Sequence, residues 1–511
     1  VVINGLRNVL KRLNPVSRSD EAEDELQTDG LPPSMLGQIP TPALNARALA
    51  RSAGHTGDRY PKEASPFIAW PAKNGDGMLH RIVWDYIAAR RSHKLKGKEL
   101  AELQGRKLRS LVDHAYRTVP FYHDAFARRN VTPDQIRSAE QLRLLPVLTR
   151  QDIQDNYPDR MLASGKSTAG TVIRHTSGTI GRPLEVVWDN EDCDRNTARH
   201  LVMAQSLGLS LLDKTVDIMY LGPEKPEPST TPEMSRLRKI LVGPITTPMI
   251  FTLRSRKTGF RRSVLEVEKE LLKLRPTAIY SRPSYLRRLG SQLDREGKKL
   301  QVGKILAGGE YLSSSVRKEL EGYFDSEVFN GLGAQELGTL GAECSEHRGI
   351  HLFSDHFAFE LLRDGEPASA GEAAELVVTS LHNRTMPLIR YKLGDVVVPE
   401  SGVDCACGLG LPRLREIRGR LDDGLELPDG TRIPVGPVVD YIESLGLRDY
   451  QLVQTGKGSV LVKLVQEQDT KQTVQTLFSY LRSLFGNDVQ IRLEEWKEDD
   501  IPPKYRPVMR L

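Results

Sequence analysis

Through the first 80 residues apolar and polar positions follow no sustained period, except that Val2, Leu6, Val9, Leu10 and Leu13 recur at helical spacing. That opening segment has no acidic residue before Asp20. It reads as a helix docked on the body or frayed, with a surface-seeking or targeting helix as the alternative. The chain opens on Val1 rather than Met, which leaves room for residues before it. Residues 14–80 are polar, carry Pro and Gly, and read as an extended lead-in. From Met78 to about Arg129 the pattern turns helical. Ile82, Tyr86 and Ile87 share one face, as do Leu108, Leu111, Val112 and Tyr116, and Pro120 breaks the run. Thr149 followed by Asp152 marks a further helix start.

After Val172, short β-rich runs alternate with amphipathic stretches. Val264, Leu265, Val267, Leu271 and Leu272 form a helical stripe, and Ala278–Tyr280 is β-prone. Residues 313–324 read as a helix, and 375–379 as a strand. Such alternation predicts an α/β core. Past Arg420 the pattern restarts, with a hairpin turn at Asp429-Gly430, a helix over 435–445, a strand over 458–465, a helix over 472–485 and a strand over 488–493. The expected organisation is therefore a lead-in (1–80), a large multi-layer α/β domain (81–420) and a small, mobile α+β domain (421–511). No internal repeat is visible.

A chain of 511 residues exceeds what one hydrophobic core serves, which also favours more than one domain. Its net charge of +5 is a weak bias for this length. That suits small polyanions and gives no argument for nucleic acid. The basic runs 90–94 and 254–257 read as solvated surface. No apolar run approaches the ~20 residues of a membrane span. Four cysteines, Cys193, Cys344, Cys405 and Cys407, are too sparse for a disulfide scaffold, so a reducing compartment, the cytoplasm, is expected.

The most informative segment is 173–187. Strand-like ends enclose His175, Thr176, Ser177, Gly178, Thr179, Ile180, Gly181, Arg182 and Pro183. Glycines let backbone N–H groups approach an anion, hydroxyls add donors, and Arg182 adds charge. An ordinary hairpin turn fits the same composition. A Walker A loop does not, because the Gly-Lys-Ser/Thr ending is missing.

This segment resembles the phosphate-binding motif of the adenylate-forming (acyl-CoA synthetase) superfamily, and four further motifs follow in that family's order. The resemblance implies that Thr176, Ser177, Gly178, Thr179, Gly181 and Arg182 hold the ATP phosphates. Gly308-Gly309-Glu310 resembles the segment beside the adenine. Asn330–Glu336 resembles the motif whose glutamate, here Glu336, holds Mg²⁺; Leu332 stands where an adenine-stacking aromatic is usual, and Gln335 where Thr or Ser is usual. Arg390–Asp395 resembles the ribose motif, with Asp395 on the ribose hydroxyls. Gly419–Asp423 resembles the domain junction, with Arg420 on ribose or phosphate and Asp422 as the hinge. Pro502–Arg506 resembles the catalytic-lysine segment, with Lys504 bridging carboxylate and α-phosphate and Pro503 in place of a glycine. Lys504, Thr176 and Glu336 are the implied catalytic residues.

Within the superfamily the chain resembles the phenylacetate–CoA ligase group and its capsule-biosynthesis-type relatives, through Ala115–Tyr122, Leu144–Arg150 and Arg282–Leu286. That group often carries a structural zinc. Cys344, His351, Cys405 and Cys407 make a candidate set, with His347 as the alternative imidazole and Cys193 unplaced. The implied chemistry is activation of a carboxylic acid, with an aryl acid favoured, to its adenylate, followed by transfer to a thiol, CoA first among acceptors. A carrier-protein thiol or an amine is the alternative acceptor, and a non-catalytic binding module is the third reading. ATP, Mg²⁺, CoA and zinc are the implied cofactors; a homodimer is compatible with them.

Overall fold

Hydrophobic spacing builds a helical entry to the body. The computed structural model describes residues 77–175, 183–209, 213–218, 251–252, 264–402, 404–465, 471–497, 501 and 506–511, all within one unit spanning 74–511. The lead-in, the 176–182 loop, the 254–257 run and Lys504 lie outside the described residues. Three helices open the described chain, Gly77–Ser92, Gly97–Thr118 and Pro120–Arg129. The second buries Leu100, Leu108, Leu111, Val112 and Ala115, one helical face. Pro120 ends the run as expected, and it also starts the next helix at its first position, where a missing N–H costs nothing. Thr149 caps the helix Arg150–Asn156: its Oγ1 accepts from Asp152 N–H at 3.1 Å, while Asp152 Oδ2 accepts from Thr149 N–H at 2.8 Å.

These helices brace a distant loop. The Tyr122 hydroxyl donates to the Pro387 carbonyl and accepts from Ile389 N–H, both at 2.9 Å. Leu148 N–H donates to the Arg390 carbonyl at 2.8 Å, and Lys392 N–H donates to the Leu148 carbonyl at 2.9 Å. Residues 387–392 are thus clamped where they enter a sheet strand. Arg390 has φ 55°, an unusual backbone for a non-glycine residue, and its buried guanidinium pairs with Glu360 at 2.9 Å.

The strands β1 (Val172–His175) and β2 (Glu185–Trp188) pair antiparallel on either side of residues 176–184. Among the described residues the main sheet has twelve strands: β3 (Thr215–Asp217), β4 (Phe251–Thr252), β5 (Ala278–Ser281), β6 (Lys304–Gly308), β7 (Glu327–Ala334), β8 (Gly338–Glu343), β9 (Ile350–Leu352), β10 (Phe357–Arg363), β11 (Glu366–Pro367), β12 (Ala374–Ser380), β13 (Tyr391–Pro399) and β14 (Arg413–Arg420). Their order across the sheet is β11-β10-β12-β13-β14-β9-β8-β7-β6-β5-β3-β4. Pairs among β3 to β7 are parallel, joined by helices Val264–Leu274, Pro283–Arg295 and Ser314–Phe324; the pairs from β7 through β12 are antiparallel. One core runs beneath the antiparallel half through Leu108, Phe126, Phe329 and Phe357, and a second serves the parallel half through Leu271, Leu289 and Leu320.

After β14 a separate sheet and core begin. The short strands β15 (Leu425–Glu426) and β16 (Arg432–Ile433) flank the Asp429-Gly430 turn. Strands β17 (Tyr450–Gly456), β18 (Ser459–Leu464), β19 (Gln490–Glu495) and β20 (Val508–Arg510) order as β19-β18-β17-β20. Helices Val435–Ser444 and Lys471–Phe485 cover them, burying Val438, Ile442, Leu477 and Leu481. Among the described residues no helix is long and apolar enough to cross a membrane.

Candidate active site

Parallel strands leave a crevice beyond their carboxyl ends, and here it holds a cleft of about 440 Å³. Its floor includes Tyr280 of β5, Leu306 of β6, Gly309 just past β6 and Leu332 of β7. Its rim comes from β14 and from the last residues of the chain, Arg506 to Val508.

Gly309, with φ 78°, turns the chain so that Glu310 faces the Arg282–Leu286 segment. Glu310 accepts from the Ser284 hydroxyl at 2.6 Å and lies 3.6 Å from Arg282. Glu336, just after β7, is 4 % exposed and lines the cleft. The Tyr391 hydroxyl donates to its Oε1 at 3.0 Å, and Trp188 Nε1–H donates to its main-chain carbonyl at 3.0 Å. Burial, then the Glu336 charge, holds the Tyr391 phenol well above its usual range, so Tyr391 stays a donor to the carboxylate.

Asp395 on β13 and Arg420 on β14 are directly opposite in the antiparallel register, with Arg420 Nε 3.9 Å from Asp395 Oδ2. Gly394, at φ 88°, supplies the left-handed turn that precedes Asp395. Burial pushes Asp395 up, and Arg420 opposes that shift. Arg420 is in turn pushed up, first by Asp395 and then by Glu336 and Asp423. Asp395 faces this cation on the cleft wall, with the Glu336 and Asp423 charges favouring it.

The residues Gly309, Glu310, Glu336, Asp395 and Arg420 come from motifs spread over more than a hundred positions, and the fold brings all five to one cleft. Asp422 does not line it. Its side chain is 76 % exposed and lies 3.6 Å from Arg432. Thr176, Ser177, Gly178, Thr179, Gly181, Arg182 and Lys504 lie outside the described residues. The strand that leads into the loop does reach the cleft through Arg174, whose guanidinium lies 4.5 Å over the Trp188 ring and donates to the Gln335 carbonyl at 3.3 Å.

Arg506, Tyr391 and Arg174 stood inside quoted motifs, yet only the fold shows their partners. Arg506 ion-pairs with Asp423 and lines the cleft beside it. The cleft lies between two sets of elements joined by polar contacts. The Tyr311 hydroxyl donates to Asp440 at 2.6 Å, Ser313 donates to Glu443, Arg287 donates to the Arg448 carbonyl at 3.0 Å, and Arg288 donates to the Ile501 carbonyl at 3.3 Å.

A second cluster lies at the ends of β8 and β9 and in the β13–β14 connection. The ligand atoms of Cys344, His351, Cys405 and Cys407 all fall within 4.8 Å of one another. Cys344 and Cys405 sulfurs are 3.7 Å apart, and Cys407 Sγ is 3.5 Å from His351 Nε2. Tetrahedral zinc with Zn–S of about 2.3 Å and Zn–N of about 2.0–2.1 Å requires S···S of about 3.8 Å and S···N of about 3.6 Å. His347 is excluded from the set: it stacks on Phe329 at 4.6 Å and contacts Glu327 at 3.0 Å. Cys193 sits apart, on the helix Asn190–Ser206.

No family model matches the chain. Among curated proteins, the phenylacetate-coenzyme A ligase of Escherichia coli (strain K12) is 31 % identical over 344 residues, which cover 64 % of this chain and 72 % of that protein. Protein CapK of Staphylococcus aureus is 21 % identical over 407 residues, 78 % of this chain and 85 % of that one. Among solved structures, 2-hydroxyisobutyryl-CoA ligase in its postadenylation state with 2-HIB-AMP superposes with a TM-score of 0.67 at 17 % identity, covering 82 % of this chain and 91 % of that one. That likeness places the fold among adenylate-forming enzymes.

Proposed function

This chain belongs to the phenylacetate-coenzyme A ligase family, and from that premise we propose how its cleft carries out the family's reaction. The enzyme activates a carboxylic acid with ATP, releasing pyrophosphate, and passes the acyl group from AMP to the thiol of CoA. In the first half-reaction a carboxylate oxygen bonds to the α-phosphorus as the bond to the pyrophosphate oxygen breaks. In the second, the thiol sulfur bonds to the acyl carbon, the thiol proton leaves, and AMP departs. No side-chain nucleophile is needed, because positioning and charge neutralisation supply the catalysis.

The convergence of Glu336, Asp395 and Arg420 in one cleft carries this assignment. Asp395 accepts hydrogen bonds from the ribose hydroxyls, and Arg420 meets the ribose or phosphate. The loop 176–182 holds the outer phosphates, with Arg174 at its root. Glu336 is suited to hold Mg²⁺, a hard cation that takes carboxylate oxygen and would supply charge neutralisation at the leaving pyrophosphate. Lys504 bridges the attacking carboxylate and the α-phosphate. Residues 421–511 turn about Asp422 between the two half-reactions, carrying Lys504 away and opening a path for CoA. Cys344, His351, Cys405 and Cys407 fit a structural zinc that pins β8, β9 and the β13–β14 connection together, and the cytoplasm is the compartment.

The test is ATP–pyrophosphate exchange across aryl, fatty and amino acids, followed by AMP release with CoA, a carrier protein or an amine as acceptor. Acid-dependent exchange with CoA-dependent AMP release supports the reading. AMP release only with a carrier or an amine moves the acceptor, and no exchange with any acid favours a binding module.

A further inference from the structure

A further wall of the cleft is polar, away from the Asp395–Arg420 pair in sequence and built on a helix. Asn196 and His200 lie one turn apart on the helix Asn190–Ser206, and both line the cleft. Thr339 of β8 holds them both. Its Oγ1 is 2.9 Å from His200 Nε2, and its N–H donates to Asn196 Oδ1 at 3.3 Å. Arg199 donates to that same Oδ1 at 3.0 Å. With its oxygen engaged twice, Asn196 has its amide N–H groups to offer the cleft. Burial, ahead of the Arg199 and Arg174 charges, pushes His200 down to about 4. At neutral pH its ring is therefore uncharged, with Nδ1 as a second hydrogen-bonding atom. Met203, Tyr280 and Leu306 add apolar surface to the same cleft. Tyr280 packs close against β6, where a Cβ on Gly308 would fall 3.1 Å from the ring.

An apolar slot with two neutral hydrogen-bonding groups on one wall is a specificity device. Those groups must lose water when an acid fills the slot, and an acid that cannot bond to them leaves them unpaired. Sites built this way discriminate strongly against analogues that lack the matching polar group. We propose that this chain selects an aryl acid whose apolar body carries an uncharged hydroxyl or amino substituent remote from the carboxylate, hydrogen-bonded by Asn196 and His200. This deepens the adenylation reading above and rests on it.

The experiment compares kcat/KM in ATP–pyrophosphate exchange for phenylacetate, 4-methylphenylacetate, and 3- and 4-hydroxyphenylacetate. In the wild-type protein at least one hydroxylated acid should exceed the methyl isostere by roughly tenfold or more. In His200→Phe and Asn196→Leu that ratio should fall toward one, and Thr339→Val should lower it partway. Each ratio is taken within one protein, so a loss of folded enzyme cancels. Equal use of hydroxyl and methyl acids by the wild type overturns the proposal, as does a ratio that persists in both variants. Absence of exchange with every acid tried, these and a broad panel alike, instead removes the adenylation premise, and this inference falls with it.

Discussion

Replacing Asp395 by Asn isolates the ribose contact. The carboxylate faces Arg420 at 3.9 Å and accepts, on our account, from both ribose hydroxyls. Asparagine has nearly the same shape but one acceptor oxygen and no charge. The loss is therefore about one charge-assisted hydrogen bond, roughly 1.5–3 kcal/mol. At about 1.4 kcal/mol per factor of ten, that is a rise in KM for ATP of ~10- to 150-fold. Arg420 keeps Glu336 and Asp423 nearby, so the wall should hold its shape. Asp395 is itself raised by burial, so a neutral residue there relieves desolvation and the thermal midpoint should not drop. The assay is pyrophosphate exchange with ATP and with 2′-deoxy-ATP in both proteins. Wild type should lose about tenfold or more on the deoxy nucleotide. Asp395→Asn should lose much less, because one of the two bonds is already gone. Equal deoxy penalties in both proteins, or an unchanged KM for ATP in the variant, would refute the ribose assignment.

Other consequences are independent of that one. Purified protein should carry about one zinc per chain by elemental analysis, and Cys344→Ser should lose it and unfold at lower temperature; metal-free protein of full stability contradicts the zinc reading. Tyr311→Phe and Glu443→Ala each remove a contact joining the sheet body to the 421–511 segment, worth about 1 kcal/mol or a fewfold in equilibrium. Each should slow pyrophosphate exchange relative to the thioester half-reaction, and a parallel fall in both would argue against a latch. His200 is lowered to about 4 by burial, and His356 and His382 are held well below the usual range by the same cause. The unfolded chain takes up these protons near pH 6.5 while the fold does not, so stability should fall as pH drops from about 6.5 toward 4. Urea midpoints at pH 7.5 and 5 test this, and His356→Gln with His382→Gln should flatten the slope; an unchanged slope rejects it.

Residues that line the cleft were legible in the sequence when they stand in short motifs. Gly309 and Glu310, or Asp395 within its Gly-Asp pair, announce themselves as short motifs, and local periodicity located the helices 435–444 and 471–485. Long-range partnership was not legible. Tyr391 and Glu336 are 55 positions apart, Asp423 and Arg506 are 83, and Thr339 and His200 are 139, and no local pattern links them. The Cys/His cluster of Cys344, His351, Cys405 and Cys407 shows the boundary between the two cases. Spacing allowed His347 or His351, and packing decides it, because Phe329 and Glu327 already occupy the His347 ring. Pro120 shows a similar limit. Its ring stops one helix, but only the backbone at Val119 reveals that it also starts another.

The central claim is that a carboxylate oxygen attacks the α-phosphorus of ATP in this cleft. Supplying the acid with both carboxylate oxygens labelled by ¹⁸O, and analysing the nucleotide product by mass spectrometry, tests this directly. One ¹⁸O should appear in AMP for each thioester formed. Unlabelled AMP, or ADP with the label in inorganic phosphate, would contradict the account.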